Sequence, residues 1–191
     1  MKNSGYRLFG IISLFLFFLI LPFIYSLMFS ADTQGRIEID KDVRAPFLKS
    51  DKKNLLVFFG YVGCGDVCVP AMEKLKRLYE SDEFISLKEH TDVFFVNIIA
   101  DYEETQSDLF AKYFNDDFKG ISLSKKEIRN IDRNFGVYFA KDLKDDTKLD
   151  HTDHLYLIKN GSGILKLKSI YFMHPLQTDK IIKDIIEKKE L

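Results

Sequence analysis

Apolar residues form one long run near the start of the chain and then short runs separated by charged segments, and the two spacings predict different elements. Leu8 to Phe29 is apolar apart from Gly10, Ser13 and Ser26, with Pro22 and Tyr25 tolerable within it. Asp32 to Asn54 is polar, with one short extended stretch from Arg36 to Asp40, and reads as a tether leading into a domain edge. Leu55 to Tyr61 has the Val and aromatic content of a strand buried on both faces. Met72, Leu75, Leu78 and Tyr79 then recur at helical spacing, so a helix is predicted from Pro70 to Tyr79, with Pro70 in its first turn. Asp92 to Ala100 reads as a second buried strand, and Glu104 to Phe114 as a helix with Leu109, Phe110, Tyr113 and Phe114 on one stripe. Ser124 and Glu127 have capping-box spacing for a helix that ends before Gly136. His154 to Ile158 and Ile164 to Ile170 flank Asn160-Gly161, a hairpin signal, and Thr178 to Glu187 is a closing amphipathic helix. The order β-α-β-α-α-β-β-α predicts an α/β fold, a thioredoxin-like α/β sandwich behind an N-terminal transmembrane helix. Its active residues are expected at strand C-terminal ends.

The first run is long enough for a bilayer. Roughly 22 residues span about 33 Å as a helix, and the preceding Lys2 and Arg7 would stay on the cytoplasmic side while the remainder is exported. A cleaved signal peptide is the competing reading, but its apolar core is shorter, and YSLMFSADTQ offers no small-x-small cleavage site. The expected division is an anchor over 1–31, a tether and domain edge over 32–54, and a folded domain over 55–191. That domain is long enough to bury one core without a disulfide framework.

Charge narrows the partners. The 28 basic and 29 acidic residues are interspersed and sum to -1, so no basic stripe exists to neutralise phosphates, and nucleic acid is not an expected partner. With no apolar stripe standing out beyond the membrane segment, a monomer is expected.

The chemistry concentrates in FFGYVGCGDVCVP, residues 58 to 70, which holds both cysteines, Cys64 and Cys68. Residues four apart at a helix start face nearly the same way, so the thiols can share one metal or one disulfide. A helix N-terminus behind them would lower their pKa values. A structural disulfide would close too short a loop to stabilise much. Redox enzymes usually have Cys-x-x-Cys, one residue fewer, and thioredoxins place a cis-proline in the loop facing their cysteines, whereas none of Pro22, Pro46, Pro70 and Pro175 lies near residue 150. Taken alone, His151 is a solvated residue of a polar stretch, His154 is a structural strand residue, and His90 and His174 sit near element ends. Asp66 reads as a helix-start or supporting residue. Phe58-Phe59 and Phe94-Phe95 read as core, and the charged segment Lys141 to Asp150 as a solvated loop.

FGYVGCGDVC, followed by DHTDHLYLI some eighty residues later, resembles the Sco/SenC family of thioredoxin-fold copper-handling proteins. DFKGISLSKKEIRNIDRNFGVYF also resembles that family, and the likeness covers most of residues 50 to 191. It differs in having Gly65 and Val69 where the family has prolines, with Pro70 shifted by one, Ile99-Ala100-Asp101 in place of an Asp-Pro stretch, and a short N-terminal hairpin region. The resemblance implies that Cys64, Cys68 and His151 bind copper, as Cu(I) or Cu(II). It also implies a membrane-anchored chaperone for the CuA centre of cytochrome c oxidase, whose CuA-bearing subunit is the partner. The domain would face the bacterial periplasm or the mitochondrial intermembrane space. Ligand chemistry agrees: thiolates select Cu(I), imidazole accepts both copper states, and closed zinc sites need a fourth ligand. Such a protein is a carrier more than an enzyme. The alternative is a thiol-disulfide oxidoreductase that uses Cys64 and Cys68 to reduce the oxidase subunit's cysteines or another exported protein's. A copper- or redox-responsive signalling protein is a third, weaker option.

Overall fold

Strand β2, Asn54–Gly60, is buried at every position, so it must have a hydrogen-bonded neighbour on each side and packed layers on both faces. The computed structural model, which describes residues 4–28, 35–100, 102–141, 149–161 and 164–187, supplies both. Strand β1 is Arg36–Val43; β3 (Thr91–Asn97) and β4 (Lys119–Ser122) follow the first helices; β7 (His154–Gly161) and β8 (Ile164–Phe172) form the late hairpin. The six-stranded sheet has the order β1-β8-β7-β2-β3-β4. β2, β3 and β4 are mutually parallel, whereas β7 runs antiparallel to β2, and β8 antiparallel to both β7 and β1. This is a mixed α/β fold of thioredoxin-like type. Phe58, Phe59, Phe94 and Phe95 lie in its core.

Helix α2 (Cys68–Tyr79) buries Ala71, Met72, Leu75, Leu78 and Tyr79, and Pro70 sits in its first turn as expected. A 3-10 helical stretch, Asp82–His90, which the sequence pattern did not reveal, returns the chain to β3. Helix α3 is Glu104–Phe114, but its inner face differs from the expected stripe. Ser107, Ala111 and Phe114 are buried, while Leu109 and Tyr113 are 67% and 79% exposed. The helix turns its small residues inward because it lies almost on β4: a Cβ at Gly120 would be 1.9 Å from the Ser107 carbonyl oxygen. Strand β4 itself went unread, being only four residues long. Helix α4 (Lys125–Phe135) follows the reading closely. Ser124 and Glu127 form the full capping box, and Gly136 closes the helix with a φ of 67°, a conformation that favours glycine.

Strands β5 (Phe139–Lys141) and β6 (Leu149–His151) pair in a small separate sheet. The late hairpin is present, but its turn is not at Asn160-Gly161. Those residues pair with Leu165 and Ile164, and the connection at 162–163 lies outside the described residues. Asn160 is held as a strand residue because its amide side chain donates to the Ser50 and Lys52 carbonyls at 2.7 and 3.2 Å. Helix α5 (Thr178–Ile186) ends the fold. Its Asp184 accepts from Arg36 and Tyr171 and, at 3.0 Å, from the Ser169 hydroxyl, tying α5 to β1 and β8.

The segment read as a tether thus carries edge strand β1, and the compact unit begins at Gly35. The preceding unit contains helix α1, Ser4–Met28, whose stretch Leu8–Tyr25 is long and apolar enough to cross a membrane. Lys2, residues 29–34, Asp101 and the 142–148 part of the charged loop lie outside the described residues.

Candidate metal centre

The site begins where β2 ends. Gly60 is the last residue of that strand, and a Cβ there would lie 2.7 Å from Cys68 Sγ, so glycine is what lets the thiol lie against the strand end. The chain then turns, with the Cys64 amide donating to the Tyr61 carbonyl at 3.2 Å. Cys64 stands in this turn ahead of the helix, and Cys68 is the first residue of α2. The N-cap position belongs to Val67, which offers no side-chain cap, and Asp66 is exposed. The Cys64 sulfur fills part of the gap: the Cys68 amide donates to its Sγ at 3.4 Å, and the Val69 amide to the Cys64 carbonyl at 3.3 Å. An orphan donor of the helix start is thereby satisfied by a sulfur that prefers to be anionic.

His151 arrives from the other side of the chain, at the end of β6 rather than in an open loop. It pairs with Phe139 of β5, and Thr152 fixes the next step by accepting the Tyr138 amide at 2.8 Å and donating to the Tyr138 carbonyl at 3.1 Å. The imidazole stands edge-on to Phe58 and Tyr61, with centroids 6.4 and 5.8 Å away. Its Nδ1 lies 3.0 Å from the Thr152 carbonyl, an acceptor only, so Nδ1 carries the proton. Nε2 is left facing Cys68 Sγ at 3.4 Å. The ligand atoms of Cys64, Cys68 and His151 all lie within 4.8 Å of one another.

Electrostatics divides the two thiols. Cys64 is held far below the ordinary thiol range, first because the Cys68 thiol donates to it and then, against the cost of burial, because His151 and backbone amides of the helix start also face it. Cys68 is pushed up, first by that same bond to Cys64 and then by burial. The helix-start expectation of two lowered thiols therefore holds for Cys64 alone: two adjacent sulfurs share one proton. Burial disfavours the charged form of His151, but the Cys64 sulfur and the Thr152 carbonyl outweigh it and raise its pKa. Both cysteines are free thiols. The arrangement can offer two sulfurs and one nitrogen to a soft cation, or close a disulfide between its sulfurs.

The other histidines lie apart from this cluster. His154 packs against the Phe172 ring, tilted at 48° with centroids 4.9 Å apart, and its Nδ1 lies 3.5 Å from Asp153. His174 is exposed beside Lys74, and His90 closes the 3-10 stretch. Sequence reasoning missed Gly60, Tyr61 and Thr152. The dipeptide before the cysteines carried no signal of close approach, and Thr152 stood unremarked inside the DHTDH motif.

Comparison with known proteins identifies the family. The SCO1/SenC family model matches residues 49–188. The human mitochondrial SCO1 homolog is 30% identical over 131 residues, covering 65% of this chain and 40% of the relative. A SCO2-like protein of Rickettsia conorii is 30% identical over 135 residues, covering 65% of this chain and 64% of the relative. The chain thus spans less than two thirds of the length of either. Apo Sco1 from Thermus thermophilus superposes with a TM-score of 0.57 at 27% identity, covering 80% of this chain and 91% of that one. Copper-bound ScoI from Arabidopsis thaliana gives 0.56 at 22% identity, over 70% and 84%, a likeness of fold. A matched segment reaching from before β2 to beyond α5, and so including both halves of the sulfur and imidazole cluster, establishes that the chain belongs to the SCO1/SenC family.

Proposed function

We propose that this protein is a membrane-tethered metallochaperone that holds copper between Cys64, Cys68 and His151 and delivers it to the CuA site of cytochrome c oxidase during assembly. The observation that carries the reading is the convergence of the three ligand atoms within 4.8 Å. Membership of the SCO1/SenC family supports it, as does a fold shared with relatives solved with copper bound. In this reading, residues 1–31 are the anchor, 32–54 the tether and domain edge, and 55–191 the copper-handling domain. The domain faces away from the cytoplasm, into a periplasm or intermembrane space.

The geometry suggests how cargo moves. Thiolates suit Cu(I), and the imidazole suits either copper state. Loading displaces the one proton that the two sulfurs share, while His151 ligates through Nε2 and keeps its Nδ1 proton on the Thr152 carbonyl. Cys64 is 5% exposed and Cys68 fully buried, so an acceptor's incoming thiolate reaches copper from the Cys64 side and Cys68 is released last. Three ligands leave a coordination position for that exchange.

The asymmetry of the thiols favours one second reading, thiol-disulfide exchange. The Cys64 thiolate attacks a partner disulfide, forming a mixed disulfide and releasing one partner thiolate. Cys68 then attacks Cys64, giving the Cys64–Cys68 disulfide and the partner's dithiol. Anaerobic Cu(I) titration of the reduced full chain in detergent, against a chelator of known affinity, separates the two. The chaperone reading expects one tightly bound copper and at least tenfold weaker binding in His151→Ala, with disulfide exchange largely kept. Weak binding that ignores His151 would leave only the redox couple.

A further inference from the structure

We infer that Tyr61 is a positioning residue that clamps the strand bearing His151 onto the cysteine turn, and so sets how strongly the site favours Cu(II) over Cu(I). The inference rests on the copper reading of Cys64, Cys68 and His151. It arises from three contacts made by one buried residue. The Tyr61 carbonyl accepts the Cys64 amide at 3.2 Å, its ring meets the His151 imidazole edge-on at 5.8 Å, and its hydroxyl accepts the Leu149 amide at 3.4 Å. Backbone, ring and hydroxyl therefore reach, in turn, the first cysteine, the imidazole and the start of β6.

The clamp matters because β6 is a short element outside the main sheet. It has three residues and, among the described residues, pairs with the equally short β5 alone. Strands of that length bring little stability of their own. Cys64 and Cys68, by contrast, sit at the join of fully buried β2 and α2, so the sulfur half of the site is fixed by the core and the nitrogen half by what holds β6. Tyr61 is 8% exposed, so its hydroxyl oxygen is shielded from bulk water where it accepts from the Leu149 amide. Two thiolates alone satisfy Cu(I), which tolerates low coordination, whereas Cu(II) depends more on the imidazole. Loosening β6 therefore penalises Cu(II) selectively.

The test uses the full chain in nanodiscs, as wild type and Tyr61→Phe, which keeps the ring and removes the hydroxyl. Loss of the hydroxyl's bond to the Leu149 amide predicts that amide exchanging about three- to tenfold faster, with β2 amides unchanged, and Cu(II) affinity lowered about three- to tenfold with Cu(I) affinity within about twofold. A tenfold split raises the potential of the bound copper by about 59 mV. Unchanged Leu149 exchange overturns the clamp. Faster exchange with both copper states weakened equally overturns its role in selecting between them. Should wild type bind no copper, or bind it as well without His151, the copper reading fails, and Leu149 exchange in the apo protein still decides whether Tyr61 holds β6.

Discussion

At the scale of single residues, closeness decides the site. Gly60 has no room for a methyl group: the nearest atoms are Cys68 Sγ at 2.7 Å and the Phe58 and Phe95 rings at 3.1 Å. Gly60→Ala must push the sulfur or the rings aside, and we expect about 1–3 kcal/mol of lost stability. Copper binding should weaken as well, measured by urea denaturation and Cu(I) competition on the same variant. Asp92, at the opposite end of the sheet, is 3% exposed and accepts from Ser50, Lys119 and Lys52. Burial alone would raise its pKa, but those three partners outweigh it and lower it. A lowered carboxylate contributes stability above its unfolded pKa, near 4, and loses it as pH falls through the folded value. Asp92→Asn should thus cost about 1–3 kcal/mol at pH 7, and the two proteins should converge in stability as the pH falls from neutral to below the folded value of Asp92. A constant difference across that range would contradict this. The sequence made Cys64 and Cys68 conspicuous by number and spacing, and His151 through its family motif. Gly60 and Tyr61 stayed silent because one-dimensional spacing does not show which atoms touch.

Elements were legible where local chemistry alone defines them. Helix α4 announced itself through the Ser124–Glu127 box and Gly136, and β2 through an unbroken apolar run. The inner face of α3 was misread because its orientation is set by a tertiary contact, the approach of Ser107 to Gly120, which favours small residues over the larger Leu109 and Tyr113. Gly120→Ala therefore places a methyl group 1.9 Å from a backbone oxygen, where no side chain can give way. We expect a loss of about 3 kcal/mol or more, read from the denaturation midpoint, with near-neutral behaviour contradicting the packing described. The Asn160-Gly161 signal failed for a related reason: side-chain bonds to the Ser50 and Lys52 carbonyls hold Asn160 in the ladder, where Asn160 and Gly161 pair with Leu165 and Ile164.

On the scale of the molecule, the alternation of strands and helices was enough to read the α/β class, and the site lies at the C-terminal end of a central parallel strand, where such folds collect their chemistry. What the pattern could not supply was the meeting of two distant segments, since β6 lies more than eighty residues from the cysteines and belongs to a separate small sheet. The central claim is that these segments meet in order to hold copper. X-ray absorption at the copper edge, on the reduced, loaded full chain and its His151→Ala variant, tests it most directly. The account predicts two sulfur scatterers and one nitrogen in the wild type, with the nitrogen lost and the sulfurs kept in the variant. A copper environment without sulfur, or one unchanged by removing His151, would contradict it.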